Sequence, residues 1–398
     1  MQEKAKEPEI RFAGFTGAWE QRKLGDIADI TGGGTPSTSN NDYWDGNINW
    51  YSPAEISNQI FLNSSQRKIT ELGFSSCSAK MLPKGTVLFT SRAGIGKTAI
   101  LSAEGCTNQG FQSIVPHAND LDSYFIFSRT NELKKYGEIV GAGSTFVEVS
   151  GKQMAAMTLM MPPKFNEQKT IGDFFKRLDS LLTLHQRKYE KLLNIKKSML
   201  EKMFPKEGEV VPEIRFKGFT GAWEQRKFGE MANRRSEVSA SGNLPRVEYE
   251  DIVSGTGTLN KDVFEKQSQK QGIVFHSGDV LYGKLRPYLQ NWLLASFNGL
   301  AVGDFWVLEP QGLNSNYLYR IIQTKQFDEI ANQSVGTKMP RADWKLVSKA
   351  TFLNPASFNE QRLIGKFFKD IDSLLTLHQR KLEMLKNVKQ AFLEKMFV

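Results

Sequence analysis

Apolar side chains recur at alternating steps of three and four through two 40-residue stretches of the chain, 165–204 and 358–397. In the first, the stripe runs from Ile171 through Phe175, Leu178, Leu182, His185, Tyr189, Leu192, Lys196 and Met199 to Met203. In the second it runs from Ile364 through Phe368, Ile371, Leu375, His378, Leu382, Leu385, Lys389 and Phe392 to Met396. That spacing predicts two long amphipathic helices, each with a coiled-coil seam. Neither stretch contains proline. Asn166 and Asn359 precede Glu-Gln as candidate N-caps, and Pro162, Pro163 and Pro355 block extension backwards. At ~1.5 Å per residue each helix would be roughly 55 Å long. Such a stripe needs an apolar partner, and the nearest is its own copy. The expected arrangement is an antiparallel coiled coil about a pseudo-twofold axis, with Leu178, Leu182, Tyr189, Leu192, Ile371, Leu375, Leu382 and Leu385 at the interface. The two histidines in the stripe read as packed, hydrogen-bonded side chains in preference to ligands or bases. Lys196 and Lys389 are expected to snorkel from the seam or to fix its register.

Elsewhere the pattern shortens. Strand-like runs at 86–90, 113–115, 272–275, 280–282 and 305–308 are separated by Gly, Asn, Ser and Pro turns, which reads as mixed, mainly β structure. The chain also repeats itself. Residues 9–28 and 213–232 are identical at 16 of 20 positions, and the two helical stretches at 28 of 40. The stretches between these near-copies differ widely, with faint parallels. KGTVLF (84–89) matches SGDVLY (277–282), each followed by a basic, glycine-containing loop, and Gly143-Ser144-Thr145 matches Gly336-Thr337-Lys338. The expected fold class is α+β, one domain-plus-helix unit duplicated. Its expected parts are a first domain over 1–164, a helix over 165–204, a linker over 205–212, a second domain over 213–357 and a second helix over 358–398. A duplicated frame carrying two divergent heads suits one kind of job done on two targets.

Composition narrows the classes. At 398 residues, with 40% hydrophobic and 24% charged residues, the chain has ordinary globular composition and room for two or more cores. No apolar run approaches the ~18–20 residues of a membrane span, and the start, MQEKAKEPEIRF, has no signal-peptide core, so a cytoplasmic location is expected. The two cysteines, Cys77 and Cys106, make no disulfide framework. The four histidines (His117, His185, His276, His378) do not cluster with them, which argues against a zinc site. The net charge of +9 hints at a polyanionic partner. The helical stretches hold nine Lys/Arg against five Asp/Glu and eight against five, which is +4 and +3 and thus +7 of the +9. The heads are therefore nearly neutral, with local basic clusters.

Residues 91–98, SRAGIGKT, end like a nucleotide-binding loop, but Ser91 stands where that loop needs its first glycine, and no acidic magnesium-binding strand follows. A basic loop touching phosphates through Arg92, Lys97 and backbone amides is the preferred reading over a solvated hairpin tip. GKLRPY (283–288) sits at the equivalent place in the second head and strengthens it. Residues 31–37, TGGGTPS, lead into Tyr43-Trp44 and Trp50-Tyr51; a nucleic-acid surface and a buried aromatic cluster over a tight turn are equally compatible with them. No carboxylate pair, metal triad or Ser/His/Asp set stands out, and the Asn/Asp-Pro-Pro-aromatic signature of amino-methyltransferases is absent. The expectation is a chain with no catalytic or metal site of its own.

The order of variable domain, long repeat helix, second variable domain and second helix resembles the DNA-specificity (S) subunits of type I restriction-modification systems. GGGTPSTSN…YWDGNINWYSPAEI (32–56), GTVLFTSRAGIGKTAI (85–100), GDVLYGKLRPYLQNWLL (278–294) and FNEQ…FF…DSLLTLHQRK (165–188, 358–381) carry the resemblance, which covers essentially the whole chain. The EIRF(A/K)GFTGAWEQRK frames are similar to staphylococcal members in particular. The family implies two target-recognition domains, each reading half of a bipartite, asymmetric double-stranded DNA site, with the paired helices as a ruler. It implies two methyltransferase (M) subunits docked on the helices and two restriction/motor (R) subunits. S-adenosylmethionine, ATP and Mg would be bound by those partners, and no cofactor by this chain. Candidate DNA-binding residues are Arg92, Lys97, Thr98, Lys284, Arg286, Tyr288, Lys338 and Arg341. A fused restriction-methyltransferase would need motifs that are missing here. A non-catalytic coiled-coil adaptor for protein partners is the alternative, and it predicts no salt-sensitive DNA binding.

Overall fold

The computed structural model describes residues 7–56, 59–92, 94–142, 148–265, 269–333 and 339–398. It is α+β, as the duplicated pattern predicts. The periodic stretches form helices Phe165–Lys202 and Phe358–Lys395, 38 residues each. Asn166 and Asn359 therefore lie inside the first turn, two residues past the cap positions, and do not cap these helices. The chain divides into two compact units, residues 1–185 with 381–398 and residues 186–380, so each long helix contributes its first part to one unit and its last part to the other.

In the first unit, strands Ala28–Gly32, Gln112–Pro116, Val87–Phe89, Thr98–Leu101 and Phe61–Leu62 lie in that order in one sheet. All neighbours are antiparallel except the last pair. A three-stranded sheet, Arg67–Ile69, Trp44–Tyr51 and Cys106–Thr107, packs its own small aromatic core. In the second unit, Ala232–Arg235, Phe305–Pro310, Val280–Gly283 and Trp292–Leu294 repeat the first four strands of the larger sheet in the same order. A second sheet, Val238–Ser239, Gly272–Phe275, Gly299–Ala301 and Arg246–Val247, shares with the first unit's smaller sheet one parallel pair, Arg246–Val247 with Gly299–Ala301 as Trp44–Tyr51 with Cys106–Thr107, and differs in its other strands. Common sheets with different additions are what near-copied frames and divergent inserts would build.

The frame does the same work in both units. Glu20–Lys23 pairs antiparallel with Thr158–Met161 just before the first long helix, and Glu224–Lys227 pairs in the same register with Thr351–Asn354 before the second. Arg11 Nε and Nη2 donate to the two Glu167 oxygens at 2.7 and 2.8 Å; Arg215 does the same to Glu360 at 2.6 and 2.8 Å. Both carboxylates are 1% exposed, so each desolvated charge is held by a bidentate partner. Two helical glycines allow a close crossing. A Cβ on Gly172 would sit 2.4 Å from Asp122 Oδ1, and one on Gly365 would sit 2.7 Å from Asn316 Cβ. Asp122 and Asn314 cap the short helices met there, Ser123–Ser128 and Ser315–Ile321.

Each unit also contains an antiparallel pairing of long-helix segments. In the first, Phe174 stacks edge-on against Phe392 at 4.9 Å and Phe175 lies over Phe397, while Lys389 Nζ reaches Asp179 Oδ1 at 2.6 Å. In the second, Met199, Leu200 and Met203 join the core around Ile364 and Phe368, and Lys196 Nζ reaches Asp372 Oδ1 at 2.8 Å. Lys196 and Lys389 hold the same place in the repeat, as do Asp179 and Asp372, so the register lock is reciprocal. Leu178, Ile371, Leu375 and Leu382 are buried, and Leu182, Tyr189, Leu192 and Leu385 are half-buried.

Candidate nucleic-acid interface

The two basic loops leave their sheets at the same topological point. Strand Val87–Phe89 runs into the loop at 91–97, and Val280–Gly283 into the loop at 284–290. Both loops then make an isolated antiparallel bridge to a later segment, Arg92 with Glu148 and Leu285 with Arg341.

In the first unit Thr90 closes the loop. Its amide donates to Lys97 O at 2.9 Å, its hydroxyl donates to Gly94 O at 2.7 Å, and it accepts from the Lys97 amide at 2.9 Å. The Gly96 amide donates to Thr90 O at 3.0 Å. These amides are already bonded, so the loop is not a phosphate cradle built from the backbone at Gly96 and Lys97. Gly96 has a φ of +96°, and an added Cβ would lie 2.3 Å from Lys134 Cγ, so glycine here serves a left-handed turn packed on a helix. Ile95 plugs the turn inward at 8% exposure. Lys97 is exposed and Arg92 half-buried. Thr98 corrects the expectation: it is the first residue of strand Thr98–Leu101, buried, with its hydroxyl 2.6 Å from that of Thr130. Its hydroxyl faces the interior.

In the second unit the loop is held from several sides. The Tyr249 hydroxyl donates to Leu285 O, the Arg286 amide donates to Pro340 O at 2.7 Å, and the Ala342 amide donates to Lys284 O at 2.8 Å. Pro287 is buried beneath the tip. Arg286 and Gln290 both take left-handed backbone, φ 49° and 55°, without being glycine. Each such residue costs on the order of 1–3 kcal/mol and is held only by surroundings that over-determine it. Lys284 Nζ and Arg341 Nη2 converge on Asp304 at 3.5 and 3.0 Å. Burial alone would raise the Asp304 carboxyl, but the Arg341 hydrogen bond and charge, with Lys284 beside them, hold it below the usual range. Arg286, Tyr288 and Leu289 are exposed. The structure thus brings Lys284, Arg286, Tyr288 and Arg341 together; Lys338 and the paired 143–145 and 336–338 segments lie outside the described residues.

The open question over the aromatics closes on the interior. Trp44, Trp50 and Tyr51 are buried, the two indoles meet edge to face at 5.1 Å, and their N–H groups donate to Ser37 O and Gly34 O at 3.1 and 2.8 Å. They hold the 32–37 loop from beneath and offer no stacking face. Sequence reasoning missed Asp304 and Leu289. An apolar leucine in an otherwise basic loop was the available signal for the second; Asp304 carried none. Among the described residues no group of three or more His, Cys, Asp or Glu is placed to hold a metal, and no helix is long and apolar enough to cross a membrane.

Comparison with known proteins assigns this architecture. The model of the type I restriction modification DNA specificity domain matches residues 17–194 and again 221–387. The chain belongs to that family. It is 26% identical over 407 residues to the type I restriction enzyme MjaIX specificity subunit of Methanocaldococcus jannaschii, covering 95% of this chain and 92% of that one. The crystal structure of the type I restriction-modification S subunit from M. genitalium superposes with a TM-score of 0.66 over 98% of this chain and 99% of the other, at 14% identity, and so shares the fold. Neither relative is staphylococcal, and the narrower likeness of the frames goes no further than their residues. The chain is a DNA-sequence-recognising specificity subunit of a type I restriction-modification system.

Proposed function

We propose that each compact unit reads one half of a bipartite, non-palindromic double-stranded DNA site, and that the chain supplies the address and no chemistry. One observation carries this reading: two basic loops leave corresponding strands of two sheets built in one frame, while the loops differ in side chains and conformation. Different heads imply different half-sites; two identical heads would read a palindrome. Methylation and cleavage belong to partners in this reading. Two methyltransferase subunits bring S-adenosylmethionine, two restriction subunits bring ATP and Mg, and the complex works in the cytoplasm. Docking of the methyltransferase subunits on the long helices is supported by Leu181, Leu184, Leu374 and Leu377. These stand at identical places in the two copies and are exposed, although the adjacent stripe is covered.

The test is methylome mapping of DNA from cells carrying this chain with its methyltransferase subunit, joined to binding measurements over a salt series. One split asymmetric motif and affinity that falls with salt are expected. Salt-insensitive or absent DNA binding would favour a protein adaptor instead.

A further inference from the structure

The second unit's loop ends in a feature the first lacks. Tyr288 is 56% exposed and Leu289 37%, side by side at the tip of a short 3-10 turn, Pro287–Leu289, with left-handed Arg286 before it and left-handed Gln290 after. The tip is not loose. The Leu289 amide donates to Arg286 O and the Gln290 amide to Pro287 O, at 2.8 and 2.9 Å, while Gly255 N–H holds Gln290 O at 3.0 Å. Pro287 packs inward, so the apolar pair is displayed on a braced platform. Around it stand the cations Lys284, Arg286 and Arg341, with Asp304 fixing two of them. In the first unit's loop the one large apolar side chain among the described residues, Ile95, is turned inside.

We infer that Tyr288 and Leu289 form a wedge that enters a base step of the DNA and unstacks it in the half-site read by the second unit only. This rests on the reading of that unit as a half-site reader. An exposed aromatic beside a leucine loses water on entering a base stack, and the flanking cations meet the phosphates on either side. A rigid tip suits the role, because an apolar wedge must keep its shape while it separates stacked bases. The alternative occupant, an apolar patch on a partner subunit, gains nothing from the surrounding positive charge.

The test uses the full chain assembled with its methyltransferase subunits, on duplexes carrying a fluorescent adenine analogue that brightens on unstacking, placed at successive positions of the mapped site. A several-fold rise is expected at one non-methylated step of the second unit's half-site and at no such step of the other. Tyr288→Phe should retain it. Tyr288→Ala should abolish it and Leu289→Ser should reduce it, with affinity reduced about tenfold for Tyr288→Ala and the signal from the methylated adenine kept. These side chains are exposed, so melting of the variants should match the parent. A complex that selects its site but gives no such rise, or keeps it in Tyr288→Ala, overturns the wedge alone. A complex that selects no site overturns the half-site reading with it.

Discussion

Glu167 and Glu360 show how single residues hold the frame. Removing Arg11 would leave Glu167 buried with, among the described residues, only the Trp19 indole N–H, 3.3 Å away, as a donor. Arg11→Ala is therefore expected to destabilise the first unit by about 3–5 kcal/mol, and Arg215→Ala the second by a similar amount. Chemical denaturation of the full chain, followed unit by unit through hydrogen exchange, checks both; losses under 1 kcal/mol, the ~0–1 typical of a surface pair, would mean the pairs are solvated. In the proposed reading the loop cations, exposed Lys97 and Arg286 and half-buried Arg92 and Lys284, act on DNA instead. Alanine at a phosphate contact among Arg92, Lys97, Lys284 and Arg286 should weaken binding to every sequence and lower the salt slope by about one. At a base contact it should cost ~1–3 kcal/mol at one position. Unchanged affinity and slope in all four would remove the loops from the interface. The basic side chains were legible as residue types in a loop. The burial of Thr98 was not, because its partner Thr130 lies on another element. Nor was the left-handed backbone at Arg286 and Gln290, where no glycine announces it.

Among the elements, the long helices were the most legible, since a stripe sustained over 38 residues leaves little choice of secondary structure. The lysines interrupting it were expected to snorkel from the seam or to fix its register, and each forms an ion pair with an aspartate that the pattern alone did not single out. Asp179 accepts from Lys389 and also from the Tyr124 hydroxyl at 2.9 Å. Asp179→Ala should thus destabilise more than Lys389→Ala. The double-mutant cycle should show a coupling of roughly 0.5–3 kcal/mol, and additivity within about 0.3 would deny the lock. Buried tyrosines set the alkaline limit. Burial, with nearby Glu55, pushes Tyr51 up to about 12, and burial also raises Tyr124, Tyr249, Tyr282 and Tyr319. Their folded values exceed the unfolded 10.0, so this stability is complete below that pH and is lost as pH rises through the folded values. Each tyrosine takes away up to ~1.4 kcal/mol per pH unit. Lys196 acts oppositely: burial lowers its ammonium despite Asp372, so its contribution grows as pH rises towards 10.5. The net expectation is a steep fall in melting temperature above about pH 10, with Tyr51, Tyr124, Tyr282 and Tyr319 ionising only on unfolding. Tyrosinate absorbance from these four in the folded chain would contradict it.

At the scale of the molecule, the duplication was readable because near-identical frames bracket unlike inserts. The partition of each helix between two compact units was not, since periodicity reports a face and not the partner it meets. If the helices set the distance between half-sites, four residues added after Arg187 and after Arg380 leave both Lys–Asp pairs outside the insertions. They add ~6 Å, about two base pairs, with slightly more than a full turn. The same bases with a longer spacer are expected from methylome mapping; an unchanged spacer at full activity would exclude the ruler. The central claim, one unit for each half-site, is tested most directly by exchanging residues 29–163 for the corresponding domain of another family member. Methylation should then be mapped in cells carrying the hybrid with its methyltransferase subunit. One half of the motif should change to the donor's and the other half should stay. A motif altered in both halves, or in neither, would contradict the account.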